Sequence, residues 1–194
     1  MNMQVGVLAL QGAFAAHSDC LTSIGVQSVE VRNPEQLSSV DALLMPGGES
    51  STMSQLLDSS DLFDPIAKRV AEGMPVFGTC AGMILLASEI LDGRSDQRNF
   101  SAIDISVRRN AFGRQVDSFE ATISTDVGDF QGVFIRAPRI ERVGADVQVL
   151  GSIGDEPVLV RQGNVLAASF HPELSNDARL HEYFVSIVAN RKKV

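Results

Sequence analysis

Short apolar segments and longer amphipathic segments alternate through the first half of the chain. Four segments are rich in apolar or β-branched residues: 5–10, 27–31, 42–45 and 75–78. They are bounded by Gly, Pro, Asn or Asp, as buried strands are. Helical patterns cover residues 13–24, 51–57, 62–72 and 82–91. Strands separated by helices of this length predict right-handed βαβ units and therefore a parallel sheet.

The second half of the chain lacks long helical patterns until its end. Strand-like segments lie at residues 103–107, 119–124, 133–135, 147–153, 158–161 and 165–170. Turn signals at Gly154-Asp155 and Gly163-Asn164 join the last three of them, so we expect hairpins or the edge of a mixed sheet. After Ser175, a candidate N-cap, apolar residues with helical spacing predict a terminal helix that packs on the sheet. The polar segment 94–101 has no apolar periodicity and predicts a mobile loop.

These patterns predict an α/β fold. We expect a single domain over residues 1–194, built on an open, mixed, largely parallel sheet that is flanked by helices. A chain of 194 residues is long enough for one sizeable core and short for two.

Composition and charge narrow the partners. The formal net charge of -8 leaves no basic field to attract a phosphate backbone, so we expect no nucleic-acid partner. The longest apolar stretch, residues 76–87, is shorter than the roughly 18 residues that a membrane span needs. Two cysteines do not make a disulfide framework, which favours a reducing cytoplasm. We therefore expect a cytoplasmic protein that acts on a small molecule or binds another protein.

The sharpest chemical signal is a cysteine at a strand-to-helix turn. Gly78-Thr79-Cys80-Ala81-Gly82 reads G-x-C-x-G, which is the nucleophile elbow of α/β hydrolases with cysteine in place of serine. The start of a helix favours a thiolate on Cys80, and the N–H of Ala81 is placed to donate to an oxyanion. The alternative is a structural cysteine at a tight turn, because free cysteine is among the most buried residue types.

A thiol nucleophile needs a base, and the sequence offers three histidines. His171 follows the last predicted strand, where strand ends form ligand crevices, and Glu173 lies two residues on, on the same side of an extended segment. Such a carboxylate holds the imidazole in the tautomer that accepts the thiol proton, which predicts a Cys80-His171-Glu173 triad. A plain turn histidine is the alternative at position 171. His17 and His181 lie in predicted helices, where we expect surface or packing roles.

Paired glycines follow the third predicted strand, within residues 46–52. Gly47 and Gly48 permit close backbone approach and can present an N–H to an oxyanion or a substrate. Ser50 or Ser51 is expected to cap the next helix, and a glycine turn before a capped helix is the alternative interpretation. The segment lacks the lysine of a phosphate-binding loop, so a nucleotide site is not expected. We predict no metal and no cofactor.

Taken together, residues 46–50, 78–82 and 171–173 resemble the motifs of the class I, triad-type glutamine amidotransferases. Within that class, the chain is similar to the glutaminase subunits of pyridoxal 5'-phosphate synthases in residues 10–12, 46–52, 108–115, 117–120 and 134–138. The resemblance runs nearly end to end. It implies a flavodoxin-like fold and hydrolysis of L-glutamine to glutamate and ammonia. It also implies a separate synthase subunit that receives the ammonia and makes pyridoxal 5'-phosphate.

The resemblance also implies roles for individual residues. Cys80 is the nucleophile, His171 the general base and acid, and Glu173 the group that orients the imidazole. The oxyanion hole consists of the Ala81 N–H and one from Gly47 or Gly48. The implied glutamine contacts are Gly48, Glu49, Ser50, Arg109, Ile135 and Arg136. Because glutamine carries a carboxylate and an ammonium, its site needs charges of both signs, and the arginines and Glu49 can supply them.

Other readings stay open at this stage. A cysteine hydrolase of the DJ-1 or peptidase type also places a cysteine on a sharp elbow, although the late His171–Glu173 pair argues against it. A catalytically idle module would use the fold only to dock a partner. Among amidotransferases, the nearest alternative is the glutaminase subunit of imidazole glycerol phosphate synthase. Delivery of unprotonated ammonia favours a docked partner that excludes solvent. Because paired glycines permit a peptide flip, we expect partner docking to complete the oxyanion hole by reorienting the Gly47-Gly48 peptide.

Overall fold

Twelve strands and six α-helices make up residues 3–109, 118–125 and 128–191, the part of the chain described by a computed structural model. The strands are β1 (Gln4–Leu8), β2 (Gln27–Val31), β3 (Ala42–Met45), β4 (Val76–Thr79), β5 (Ala87–Ile90), β6 (Ile103–Arg108), β7 (Ser118–Thr125), β8 (Phe130–Ile135), β9 (Arg139–Val143), β10 (Gln148–Ile153), β11 (Glu156–Gln162) and β12 (Val165–Ala168). The helices are α1 (Phe14–Ser23), α2 (Pro34–Ser38), α3 (Ser50–Ser59), α4 (Phe63–Ala71), α5 (Ala81–Leu86) and α6 (Arg179–Arg191). A 3-10 turn, Pro172–Leu174, precedes α6.

Nine strands form one mixed sheet in the order β2-β1-β3-β4-β12-β11-β10-β7-β8. The first five pair in parallel, and the last four extend the sheet by antiparallel pairing. The predicted α/β class with an open mixed sheet is confirmed, and its parallel half has the flavodoxin-like strand order. The two predicted turns close the β10–β11 and β11–β12 hairpins, with φ of 55° at Gly154 and 56° at Gly163. A smaller sheet has the order β5-β6-β9.

The parallel strands are buried because helices cover both faces of the sheet. Every residue of β3, β4 and β12 is buried, which explains their continuous apolar sequences. Within β3, Leu43 packs into the core on the side of α3 to α5, whereas Leu44 packs with α1 and α6 on the opposite side. Burial of each such side chain contributes about 1.5–3 kcal/mol relative to exposure. None of the helices described is long and apolar enough to cross a membrane.

One predicted helix is too long, and two elements of the structure were not predicted. The helix predicted over residues 82–91 ends at Leu86, because residues 87–90 form β5 and pair with β6. Helix α2 was not expected: Asn33 caps it by accepting a hydrogen bond from the Gln36 N–H, and Pro34 is its first residue. Strand β9 was not expected either, since Ile140 is its one fully buried side chain and leaves little apolar alternation to detect.

Two predictions near polar segments also need correction. Ser175 ends the 3-10 turn instead of capping the terminal helix, which begins at Arg179. The segment 94–101, predicted as a mobile loop, is anchored to the protein. Arg98 pairs with Asp58 and Asp64, each at 2.6 Å, and the ring of Phe100 stacks on Phe63 with centroids 4.4 Å apart. These partners lie more than 30 residues away in sequence, so no local pattern predicts these contacts.

Close packing of α5 on β3 makes Gly82 a position where a methyl group does not fit. A Cβ at Gly82 would overlap the backbone carbonyl of Met45. In an exposed helix Gly→Ala stabilises by about 1 kcal/mol, but here we expect Gly82→Ala to lower the free energy of unfolding by about 1–3 kcal/mol. Urea unfolding measures the change, with Ser59→Ala on the exposed end of α3 as the near-neutral control. A Gly82→Ala protein as stable as the wild type would contradict this packing.

Candidate active site

Neighbouring parallel strands bring the candidate residues to one edge of the sheet. Strands β1, β3, β4 and β12 are adjacent, so their carboxyl ends lie together. The segments that follow these ends contribute Gln11, Gly48, Cys80 and His171 to the wall of one cavity of about 280 Å³. The other residues of the wall are Glu49, Ser50, Ile84, Arg109, Ile135 and Arg136. Ligand crevices of open α/β sheets occupy this same edge.

Cys80 occupies a strained turn between β4 and α5. Its backbone has φ 50° and ψ −106°, which a residue with a side chain rarely adopts. Its N–H donates to the Ala168 carbonyl of the neighbouring strand at 2.8 Å, and its carbonyl accepts from the Ile84 N–H in α5 at 3.2 Å. The side chain is 6% exposed, and Sγ lies 4.0 Å from the Ile135 carbonyl oxygen. The predicted strand-to-helix elbow is therefore present, with its sulfur at the cavity wall.

His171 and Glu173 meet across a tight turn. The 3-10 turn begins directly after His171, so the expected extended segment is not observed, yet the two side chains still come together. Glu173 Oε1 lies 2.8 Å from His171 Nδ1, and both residues are 8% exposed. The backbone N–H of His171 donates to the Val133 carbonyl at 2.8 Å, which fixes the turn against β8.

Hydrogen bonding sets the protonation of this pair. Burial alone would lower the pKa of His171, but hydrogen bonds with Cys80 and Glu173, together with their charges, raise that pKa to about 10. Burial would raise the pKa of Glu173, but the hydrogen bond from His171 and the nearby His17 and His171 lower it overall. The structure thus brings Cys80, His171 and Glu173 into one hydrogen-bonded cluster with an imidazolium between sulfur and carboxylate.

The residues after β3 differ in detail from the prediction. Glu49, and not Ser50 or Ser51, caps α3: its carboxylate accepts hydrogen bonds from the N–H groups of Ser51 at 3.1 Å and Thr52 at 2.7 Å. A carboxylate at a helix start is stabilised by the unpaired N–H groups there. Burial acts to raise the pKa of Glu49, but these hydrogen bonds lower it overall, so the carboxylate is charged at the cavity wall.

Gly47 and Ala81 flank the cluster without lining the cavity. A Cβ at Gly47 would overlap His171 Cε1 and lie 3.3 Å from Cys80 Cβ, so only glycine lets the chain pass this close to both side chains. Ala81 is the first residue of α5, directly after Cys80. Both positions are therefore adjacent to the sulfur, as the oxyanion-hole prediction requires.

Arg109 is held at the cavity wall by other parts of the protein. Its guanidinium donates to Ser51 Oγ at 2.8 Å and to the Asp92 carbonyl at 2.7 Å, and it approaches Gln97 Oε1 at 3.4 Å. The segment containing Gln97 thereby supports the cavity. Arg136 reaches the wall through a strained backbone with φ 43°.

The cavity wall includes two residues that the motifs did not single out as contacts. Gln11 and Ile84 both line it, and Gln11 Oε1 is buried with no hydrogen-bond partner in the part of the chain that the structure describes. Gln11 lies in the segment 10–12 that carries part of the resemblance, and it follows the end of β1. Its position after a strand end is the sequence signal that could have predicted its place in the cavity wall. Residues 110–115 and 117 of the resemblance lie outside the described part of the chain. Among the described residues, no group of three or more His, Cys, Asp or Glu side chains is arranged to hold a metal ion.

His17 and His181 are fully buried beside the cluster. His17 Nδ1 lies 3.0 Å from His181 Nε2, while His17 Nε2 lies 3.2 Å from Thr79 Oγ1 and 3.2 Å from Glu173 Oε2. Burial, which outweighs the attraction of Glu173, lowers the pKa of His17 to about 3 and that of His181 to about 4. Both imidazoles are therefore neutral at pH 7, and the packing role expected for them includes direct contact with the candidate site.

Comparison with known proteins agrees with this fold. Residues 7–190 match the family described as the SNO glutamine amidotransferase family. The chain is 55% identical over 192 residues to the pyridoxal 5'-phosphate synthase subunit PdxT of Salinispora tropica, covering 95% of this chain and 96% of that one. It is 56% identical over 190 residues to the PdxT of Mycobacteroides abscessus, covering 97% and 98%.

Solved structures give the same picture. A crystal structure of a glutamine amidotransferase superimposes with a TM-score of 0.91 at 51% identity and covers 95% of this chain and 98% of its own. The structure of PurLQS from Thermotoga maritima, at 14% identity and a TM-score of 0.68, shares the fold and covers 96% of this chain and 99% of its own. A flavodoxin-like sheet with a cysteine elbow beside a histidine–glutamate pair defines the class as α/β amidotransferases. The chain belongs to the SNO glutamine amidotransferase family.

The two neutral buried histidines predict a pH dependence of stability. In the unfolded chain both imidazoles bind protons below about pH 6.5, but in the fold they stay neutral down to about pH 3 and 4. The unfolded state therefore takes up more protons as the pH falls. The free energy of unfolding should decrease from pH 6.5 towards pH 4.5, with a slope that approaches about 2.7 kcal/mol per pH unit for two groups.

Urea unfolding at pH 7, 6 and 5 measures this slope. His171 acts in the opposite sense, because the fold keeps its proton up to about pH 10 whereas the unfolded chain loses it above about pH 6.5. Its contribution to the slope is therefore small below pH 6, and its stabilisation is lost as the pH rises towards 10. In His181→Gln one of the two titrating groups is gone, so the slope between pH 6 and 5 should fall to about half. A stability that does not change between pH 7 and 5 would disprove the assignment.

Proposed function

We propose that this chain is the glutaminase subunit of a pyridoxal 5'-phosphate synthase. It hydrolyses L-glutamine to glutamate and ammonia, and the ammonia passes to a synthase subunit. The observation that carries the proposal is the hydrogen-bonded cluster of Cys80, His171 and Glu173 at the wall of a cavity. The cavity volume, about 280 Å³, is at the small end of the range for ligand pockets and suits an amino acid. The PdxT relatives supply the particular pathway.

Attack by sulfur begins the proposed reaction. Cys80 Sγ, beside the His171 imidazolium, is the attacking atom in this mechanism. Sγ adds to the side-chain amide carbon of glutamine, and the amide oxygen becomes an oxyanion. The Ala81 N–H and one N–H from Gly47 or Gly48 donate to it. Loss of one such donor typically slows a reaction of this kind about 10²- to 10³-fold.

Proton transfers through His171 complete the proposed reaction. His171 protonates the departing nitrogen, ammonia leaves, and a γ-glutamyl thioester remains on Cys80. His171 then accepts a proton from water, whose oxygen attacks the thioester carbon and releases glutamate. Glu173 keeps Nδ1 protonated throughout, so that Nε2 exchanges the proton with sulfur, nitrogen and water.

Charged residues on the cavity wall bind the amino-acid end of glutamine in this proposal. The Glu49 carboxylate, which the α3 cap keeps ionised, pairs with the ammonium group. Arg109 and Arg136 pair with the carboxylate, and the fixed position of Arg109 limits the entropy lost on binding. Gly48, Ser50 and Ile135 contact the rest of the substrate.

A reducing cytoplasm and a protein partner fit the same chemistry. Cys20 and Cys80 are both free thiols, and a reducing compartment preserves the nucleophile. An ammonia donor needs an acceptor subunit that excludes solvent. PdxT relatives at 52–56% identity favour pyridoxal 5'-phosphate synthase over imidazole glycerol phosphate synthase as the assembly. Membership of the amidotransferase family argues against a hydrolase of the DJ-1 type.

Removal of the sulfur tests the nucleophile. In the complex with the synthase subunit, Cys80→Ala should reduce glutamate production at least about 10⁴-fold while the complex still assembles. Cys20→Ala is the matched control and should retain most of the wild-type activity, because its sulfur lies outside the cavity and meets only the backbone carbonyl of Glu173, at 4.0 Å. Glutamate release measured by a coupled dehydrogenase assay reports the rate. Substantial activity in Cys80→Ala would refute the mechanism, and a synthase reaction that proceeds from glutamine without Cys80 would favour an idle docking module.

Docking of the partner should raise the rate of glutamine hydrolysis. We expect the isolated chain to be a poor glutaminase, because the Gly47-Gly48 peptide completes the oxyanion hole only when the partner reorients it. A gain of about 10²-fold on addition of the synthase subunit corresponds to one added oxyanion donor. Equal rates with and without the partner would show that the site is complete on its own.

A further inference from the structure

The second carboxylate oxygen of Glu173 lacks an obvious stabilising group. Oε1 takes the hydrogen bond from His171, whereas Oε2 is buried and has no well-aligned donor among the described residues. A buried carboxylate oxygen without a donor costs about 1–3 kcal/mol or more. The nitrogen that approaches it is His17 Nε2, at 3.2 Å. His17 therefore faces Glu173 from the side opposite His171.

The neighbours of His17 determine which of its nitrogens carries the proton. A neutral imidazole has one N–H. If Nε2 were the unprotonated nitrogen, an electron-rich nitrogen would lie 3.2 Å from a carboxylate oxygen, which is repulsive. Nε2 therefore holds the proton and shares it between Glu173 Oε2 and Thr79 Oγ1, each at 3.2 Å. Nδ1 is then an acceptor.

His181 fits this assignment. Its Nε2 lies 3.0 Å from His17 Nδ1 and must be the donor in that contact. The remaining nitrogen, His181 Nδ1, is then unprotonated, and it is buried without any partner among the described residues. The ring of Phe77 packs beside the His181 imidazole, with centroids 6.1 Å apart.

We propose that His17 is a positioning residue of the glutaminase reaction: its Nε2–H fixes Glu173 Oε2, and His181 fixes the tautomer of His17. This inference rests on the proposed function, since the orientation of Glu173 affects catalysis only through His171. Together the five groups form a line from α6 to the sulfur: His181, His17, Glu173, His171 and Cys80. Without His17 the carboxylate is free to rotate, and His171 loses its fixed orientation towards the sulfur.

Three variants test this role in the complex with the synthase subunit. His17→Phe keeps a ring but removes the N–H donor. His17→Gln keeps an N–H donor on a side chain of similar length. We expect kcat of His17→Phe to fall about 10-fold with KM for glutamine nearly unchanged, because positioning acts on the reacting groups and not on substrate contacts. His17→Gln should recover most of kcat. Ile66→Val, which loosens the packing of α4 in the core on the other side of the sheet, is the stability control and should leave kcat unchanged.

Two further readouts do not depend on glutamine. The alkylation rate of Cys80 by iodoacetamide in the isolated chain should fall in His17→Phe and recover in His17→Gln. In the wild-type protein, ¹⁵N NMR of the histidine rings should show His17 protonated on Nε2 and not on Nδ1, and this measurement needs no variant to fold. The opposite tautomer would overturn the proposal, and so would an equal loss of kcat in His17→Phe and Ile66→Val. A wild-type complex without glutaminase activity would refute the proposed function, whereas alkylation and NMR would still decide the role of His17.

Discussion

Burial of the Glu173 carboxylate is the constraint on which the rest of the site depends. A charge taken out of water is stable only where partners replace its hydration, and removal of one partner from a buried pair typically costs about 3–5 kcal/mol. Here His171 meets one oxygen, and His17 faces the other. His17 belongs to α1 and its own partner, His181, belongs to α6. The same line of polar side chains therefore links α1 to α6 and orients the imidazole of His171.

Parallel pairing of β4 and β12 turns this arrangement into a reactive geometry. Thr79 and Ala168 are register partners, so Cys80 and the turn that carries His171 emerge side by side although 91 positions separate them in sequence. The strained backbone at Cys80 persists because a hydrogen bond to Ala168 and the start of α5 fix both sides of it. Glycines at positions 47 and 82 then allow β3 and its following loop to approach without steric conflict.

Local patterns predicted the parts of this protein that local physics determines. Continuous apolar segments gave the central strands, and the glycines around Cys80 gave the elbow. Where short apolar or polar segments fit more than one element, tertiary contacts decided: residues 87–90 pair with β6 instead of continuing a helix, and Glu49 takes the cap expected of a serine. The contact of His17 with Glu173 could not be predicted, because helical periodicity shows that a histidine faces inward but not which distant group it meets.

The central claim is that the buried cluster makes Cys80 the nucleophile for glutamine. Mass spectrometry of the complex after treatment with the diazoketone glutamine analogue 6-diazo-5-oxo-L-norleucine tests it most directly, because this reagent is attacked by the same sulfur that the amide would meet. We expect one adduct per chain, mapped to Cys80, with protection by excess glutamine. An intact complex that stays unlabelled, or that carries the label on Cys20, would contradict it.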